Sequence, residues 1–167
     1  MEIRKSSCLI HHRFGLWNKS QLAVGLILVL TLLVTACVRI DENAVLVTRV
    51  IDGDTIEVEG GVKVRYIGID TPERGEPHYF EASEINRNLV HGERVRLEKD
   101  IEDKDEYGRL LRYVWLDDAM VNAELVRLGY AYSFYYPPNL KYQSYFLRLE
   151  KVARQERRGL WKAHECE

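Results

Sequence analysis

Apolar residues recur along this chain in two periods, and those periods divide it into strands and helices before any chemistry is considered. Residues 44–51 are apolar and β-branched, residues 55–59 alternate in period two, and the Gly60-Gly61 pair leads into a third run over residues 62–69. Together these predict a three-stranded antiparallel meander. Pro72, Gly75 and Pro77 mark a loop, after which residues 79–90 take helical spacing, with Phe80, Ile85, Leu89 and Val90 near one face and His91-Gly92 as the stop. Residues 95–98 predict a fourth strand, residues 100–108 a charged loop, and residues 110–116 a fifth strand ending at Asp117-Asp118. Residues 120–128 predict a second helix closed by Gly129, and a Tyr-rich connection over residues 130–138 follows. Asn139 is expected to cap a third helix whose apolar stripe is Tyr145, Phe146, Leu149, Val152 and Ala153.

The order β-β-β-α-β-β-α-α predicts a mainly β, α+β fold: a five-stranded OB-fold barrel with three helices, an architecture that binds oligonucleotides on a strand face. No internal repeat or low-complexity run interrupts it.

Charge narrows the picture. Of 24 Lys/Arg and 26 Asp/Glu, four and one fall in residues 1–37, leaving 20 and 25 beyond and a net charge of −5 there. That excludes a strongly basic coat, so any nucleic acid must be held by a local site and not by the long-range field of the domain.

The N-terminal stretch has its own logic. Residues 22–36 are a 15-residue apolar run behind a leader carrying Arg4, Lys5, Arg13 and Lys19. The run is short of the roughly 20 residues of a membrane-spanning helix and suits the apolar region of a secretory signal. Cys37 follows Thr35-Ala36 directly, as in the bacterial lipoprotein box, where the thiol is lipidated and the chain is cut in front of it. We therefore expect residues 1–37 to be a lipoprotein-type signal peptide ending at Cys37, residues 38–43 a short linker, residues 44–163 the folded domain and residues 164–167 a tail. The alternatives are a plain signal cleaved after Ala36, giving a secreted protein, and an uncleaved anchor; in each case the domain lies outside the cytoplasm. Cys8 and Cys166 add neither a disulfide framework nor a zinc site.

Two short acidic signatures carry the candidate chemistry, Asp52-Gly53-Asp54-Thr55 and Asp70-Thr71-Pro72-Glu73. A hairpin over the residues between them returns Asp70 to the side of Asp54. Asp52 reads as turn chemistry. Asp54, Asp70 and the backbone near Thr71 offer only hard oxygen donors, which suit calcium completed by water better than zinc or copper, although two turn aspartates can also simply cap loops. Arg65 lies on the strand between the signatures and needs an anionic partner: an ion pair with Glu73 or Asp54, or a phosphate gripped in bidentate fashion. Arg109, at the start of the fifth strand, is unremarkable alone.

The segments Ile51-Asp52-Gly53-Asp54-Thr55, Arg65-Tyr66-Ile67-Gly68-Ile69-Asp70-Thr71-Pro72-Glu73, Asp105-Glu106-Tyr107-Gly108-Arg109 and Val121-Asn122-Ala123-Glu124-Leu125-Val126-Arg127-Leu128-Gly129 resemble the staphylococcal nuclease (thermonuclease) family, in order from about Val45 to Trp161. The resemblance implies a calcium-dependent endonuclease that hydrolyses phosphodiester bonds of DNA and RNA and leaves 3′-phosphate ends; with the signal-like leader it would be exported, and its expected substrates are single-stranded or locally opened DNA and RNA. It implies that Asp54, Asp70 and the Thr71 carbonyl hold Ca2+, that Glu73 activates or orients water, that Arg65 and Arg109 grip the phosphate, and that Tyr107 and Tyr135 line the nucleotide site. Two departures bear on substrate preference: Glu106 stands where the family's prototype has lysine, and the loop over residues 71–79 is shorter. The alternative is a non-catalytic OB module, binding nucleic acid or protein, anchored to the envelope. No protein partner is expected, the domain should act as a monomer, and Cys37 would tie it to a membrane through lipid.

Overall fold

A computed structural model describes residues 43–162. The expectations for residues 1–42 and 163–167, including Cys37 and the tail, lie outside the described residues.

Five strands form the predicted barrel: β1 (Val45–Val50), β2 (Thr55–Val58), β3 (Val62–Tyr66), β5 (Arg94–Glu98) and β6 (Leu110–Leu116). Antiparallel pairing runs in the order β3-β2-β1-β5-β6, and a parallel pairing of β3 with β6, Val64 opposite Leu110 and Tyr66 opposite Arg112, closes the circle. Closure removes exposed sheet edges. A register shift between Val47 and Arg49 puts an extra residue in β1, so that Val47 and Val50, three positions apart, both point into the core. Three helices complete the fold: α1 (Tyr79–Val90), α2 (Val121–Leu128) and α3 (Gln143–Gln155). The core is built from the inward residues of every barrel strand together with Leu125 and Val126 of α2 and Phe146 of α3.

Several expectations need correction. The run over residues 62–69 is two strands, because Gly68 at φ 75° turns the chain after β3 and β4 (Ile69–Asp70) pairs elsewhere, with β8 (Tyr132–Ser133). A Cβ on Gly68 would stand 2.7 Å from the Phe146 ring, so packing as well as φ demands glycine. Met120 belongs to β7 (Ala119–Met120), which folds back on β6, and α2 begins one residue later. Phe80 is 76% exposed: the buried face of α1 is Tyr79, Ala82, Ser83, Asn86 and Val90, with small and polar residues where an apolar count looks for large ones. Asn139 does not cap α3, which begins at Gln143; its Oδ1 instead accepts from Glu102 N at 2.8 Å and ties the charged loop down. In α3 Phe146 and Ala153 are buried, whereas Tyr145 and Val152 are exposed and Glu150 takes their place inward, paired with Arg154.

Candidate active site

The site forms where the turn after β1, the turn after β3 and the end of the charged loop meet. Asp52 Oδ1 accepts from the backbone N–H of Asp54 at 3.1 Å, which is the expected turn chemistry. From α1, Asn86 Nδ2 donates to the Asp52 carbonyl at 2.9 Å while its Oδ1 accepts from the Tyr66 hydroxyl at 3.0 Å. The turn is thereby pinned to the helix and to β3. Gly53 is required by close approach, since a Cβ there would meet Thr71 Oγ1 at 2.6 Å.

Asp54 is buried, 5% exposed, and its carboxylate organises the cluster. Its Oδ2 accepts from Thr71 N and Thr71 Oγ1, both at 3.0 Å, and its Oδ1 accepts from Thr55 Oγ1 at 3.1 Å. Arg65 then joins it to Asp70: Nη2 lies 3.1 Å from Asp54 Oδ2 and 2.9 Å from Asp70 Oδ1. Nη1 donates to the carbonyls of Tyr66, at 2.7 Å, and Ile69, at 2.9 Å, which holds the Gly68 turn closed around the guanidinium. Burial pushes the Asp54 carboxyl up to about 7; Arg65 opposes that rise and the charges of Asp52 and Asp70 add to it.

Arg109 approaches from the other side. Asp105 Oδ2 holds its Nε at 2.5 Å, and Asp105 Oδ1 accepts from the backbone N–H groups of Tyr107, at 3.0 Å, and Arg109, at 2.9 Å. Arg109 Nη1 reaches Thr55 Oγ1 at 3.5 Å, so one hydroxyl links the second guanidinium to Asp54. The Tyr107 ring, 75% exposed, lies 5.4 Å from the Arg109 guanidinium.

Among the described residues no group of three or more His, Cys, Asp or Glu could hold a metal, which fits neither a zinc site nor an all-protein cage. Two carboxylates sharing one arginine, one of them buried and starved of solvation, do fit a hard cation that keeps several waters.

The family model described as staphylococcal nuclease homologue matches residues 63–163. The chain is 42% identical over 125 residues to the thermonuclease of Staphylococcus intermedius, covering 70% of this chain and 74% of that protein. It is 40% identical over 130 residues to the thermonuclease of Staphylococcus hyicus, covering 72% and 77%. With endonuclease YncB of Bacillus subtilis it shares 41% identity over 124 residues, 68% of this chain and 59% of that protein. The chain belongs to the staphylococcal nuclease homologue family.

In this staphylococcal nuclease homologue the structure brings Asp54, Arg65, Asp70 and Thr71 into direct contact, and joins Arg109 and Tyr107 to them through Thr55. Arg65 pairs with Asp54 and Asp70, and not with Glu73. Glu73 stands apart from those hydrogen bonds: it is exposed, and its backbone N–H donates to Glu76 Oε2 at 2.7 Å. Tyr135 is exposed on the segment that follows β8. Three participants were not singled out from the sequence. Asp105 and Thr55 position Arg109, and burial raises the Tyr136 pKa, the charges of Asp105 and Glu102 adding to the rise and those of Arg65 and Arg109 opposing it. An acid four residues before an arginine is a local signal for the first; Tyr136 has none among six nearby tyrosines.

Proposed function

We propose that this nuclease is an exported, calcium-dependent endonuclease that hydrolyses phosphodiester bonds in DNA and RNA and leaves 3′-phosphate ends, held at the cell envelope by lipid on Cys37. The nuclease class follows from family membership; the rest is our reading. One observation carries it: Arg65 Nη2 lies between the carboxylates of Asp54 and Asp70, with Arg109 one hydroxyl away. Two fixed guanidinia beside paired carboxylates are complementary to a phosphate bridged to a cation.

Asp54, Asp70 and the Thr71 carbonyl would hold calcium, which supplies Lewis-acid stabilisation of charge on the phosphoryl oxygens. Arg65 and Arg109, already oriented by carbonyls and by Asp105, offer N–H donors to the same oxygens without reorganising. Glu73, exposed two residues after Thr71, is free of those bonds and serves to orient a water for in-line attack. Neither arginine serves as proton donor to the leaving oxygen, because a guanidinium with a pKa above about 12 is a poor acid; water takes that role. The exposed rings of Tyr107 and Tyr135 supply sequence-tolerant stacking.

The test is a cleavage assay of the full chain on single-stranded DNA, duplex DNA and RNA, with calcium against chelator, and end-group analysis of the products. Calcium-dependent cuts with 3′-phosphate ends are expected. Binding without cleavage would favour the non-catalytic OB module, and cleavage undiminished in chelator would remove the metal from the reading.

A further inference from the structure

A cavity of about 360 Å³ adjoins the acidic cluster, lined by Pro72, Glu76, Pro77, His78, Tyr132 and Leu160. Its position follows from the β4–β8 ladder, where Asp70 is paired with Tyr132. Residues directly opposite in an antiparallel pair put their side chains on one face with Cβ atoms about 5 Å apart, and Pro72 lies two residues beyond Asp70.

The cavity lies at one end of a string of contacts. Tyr107 lies against Arg109 at 5.4 Å, Arg109 reaches Thr55 at 3.5 Å, Thr55 donates to Asp54 at 3.1 Å, and Asp54 accepts from Thr71 at 3.0 Å. The next residue, Pro72, is the cavity wall. Along this string the residues that grip the phosphate come between Tyr107 and the cavity. A strand held at one phosphate carries a nucleoside on each side of it, so a site that stacks one base leaves a second to be held elsewhere.

The chemistry of the wall says which part of a nucleotide fits. Tyr132 is 37% exposed and buttressed edge-on by Trp161, ring centroids 5.2 Å apart, and Trp161 is covered in turn by the Arg154 guanidinium at 3.9 Å. The Tyr132 ring is therefore held in position as a stacking surface. No Lys or Arg lines the cavity, Glu76 does, and the His78 ring there lies 3.5 Å from the carboxylate of Glu81, which disfavours a second phosphate and favours the uncharged base. Glu76 is anchored through Oε2 by the Glu73 N–H at 2.7 Å, leaving carboxylate lone pairs to accept from a base. Adenine, cytosine and guanine carry exocyclic amino donors that thymine lacks.

We propose that this cavity is the base subsite for the nucleotide across the scissile phosphate from Tyr107, stacking it on Tyr132 and favouring an amino-bearing base through Glu76. The proposal rests on the nuclease reading above.

The full chain is used to digest random-sequence single-stranded DNA, and both sides of every cut are sequenced. On one side of the cut, adenine, cytosine and guanine should exceed thymine by about threefold. Glu76→Gln, a change at an exposed residue, should flatten that preference. Tyr132→Leu, which keeps an apolar contact for Trp161, should lower kcat/KM about tenfold, within the range expected for one lost stack, and flatten the same side. Tyr107→Leu should alter the other side alone. Thermal melting checks that each variant is folded, and if Tyr132→Leu does not fold, the Glu76→Gln profile decides. A wild-type profile uniform on both sides, or one unchanged in Glu76→Gln, overturns the subsite while leaving the nuclease reading intact. Failure of the wild type to cut at all overturns the nuclease reading and the subsite with it.

Discussion

The guanidinium of Arg65 lies 3.1 Å from the carboxylate of Asp54, and their side chains are 15% and 7% exposed. A pair this sheltered from water is bound to both stability and chemistry, because removing one partner strands the other as an uncompensated buried charge.

Arg65→Lys keeps the charge but has no fork to span Asp54, Asp70 and two carbonyls. Turnover should fall by ~10²–10³-fold, the scale for losing a fixed donor on a reacting oxyanion, while the fold persists. Arg65→Ala should in addition lose about 3 kcal/mol of stability. Steady-state kinetics with denaturant titration separates the two, and near wild-type turnover in Arg65→Lys would remove Arg65 from the catalytic set.

Asp105 sets the direction of Arg109, and the loop depends on the same carboxylate. Asp105→Asn retains an oxygen for the backbone N–H groups but gives up the charge facing Arg109, so kcat should drop about tenfold, near 1.4 kcal/mol, with a smaller change in KM. Equal kcat in the two proteins would show that Arg109 needs no such support.

Gly53→Ala brings a methyl group to 2.6 Å from Thr71 Oγ1, and the backbone on either side has little freedom to yield. We expect a stability loss of about 1–3 kcal/mol from overpacking. Activity should fall further than stability alone explains, because Thr71 supplies two hydrogen bonds to Asp54. Thermal melting and a cleavage assay on the same sample check both.

Without divalent cation, Asp54 titrates near 7, against an ordinary value of 3.8, mainly because of its burial. Between those values the folded chain holds a proton that the unfolded chain does not, so this contribution to stability is fully present below about pH 4 and is lost as pH rises through about 7. In chelator the wild type should lose stability relative to Asp54→Asn as pH rises from about 4 to about 7. Calcium should narrow the gap by taking the proton's place. Urea midpoints measured in parallel for the two proteins test this, and parallel pH profiles would contradict it.

For the anchor, labelling cells with a radioactive fatty acid should mark the wild type, and Cys37→Ser should abolish the label. A label that persists in the variant would place the lipid on another residue, and none in the wild type would leave an unlipidated signal or anchor.

Much of the barrel was legible because each strand states its register in its own side chains: β2 alternates, Gly60-Gly61 turns it, and the order of elements then allows few folds. The resemblance of four spaced motifs carried Asp54, Arg65, Asp70 and Arg109 to one enzyme family. The tertiary structure decided what those motifs could not express. Phe80 is outside and Asn86 inside, since the inner face of α1 must satisfy the Asp52 turn and Tyr66 as well as bury apolar surface. Arg65 faces two carboxylates because the Gly68 turn breaks strand alternation and returns Asp70 to it. Thr55 entered the site through a contact with Arg109, a residue distant in sequence, whereas Asp105 holds the same arginine from within its own loop. Local patterning encodes the period and face of an element; a site made from three converging turns is encoded in how those elements pack, which no single stretch of residues contains.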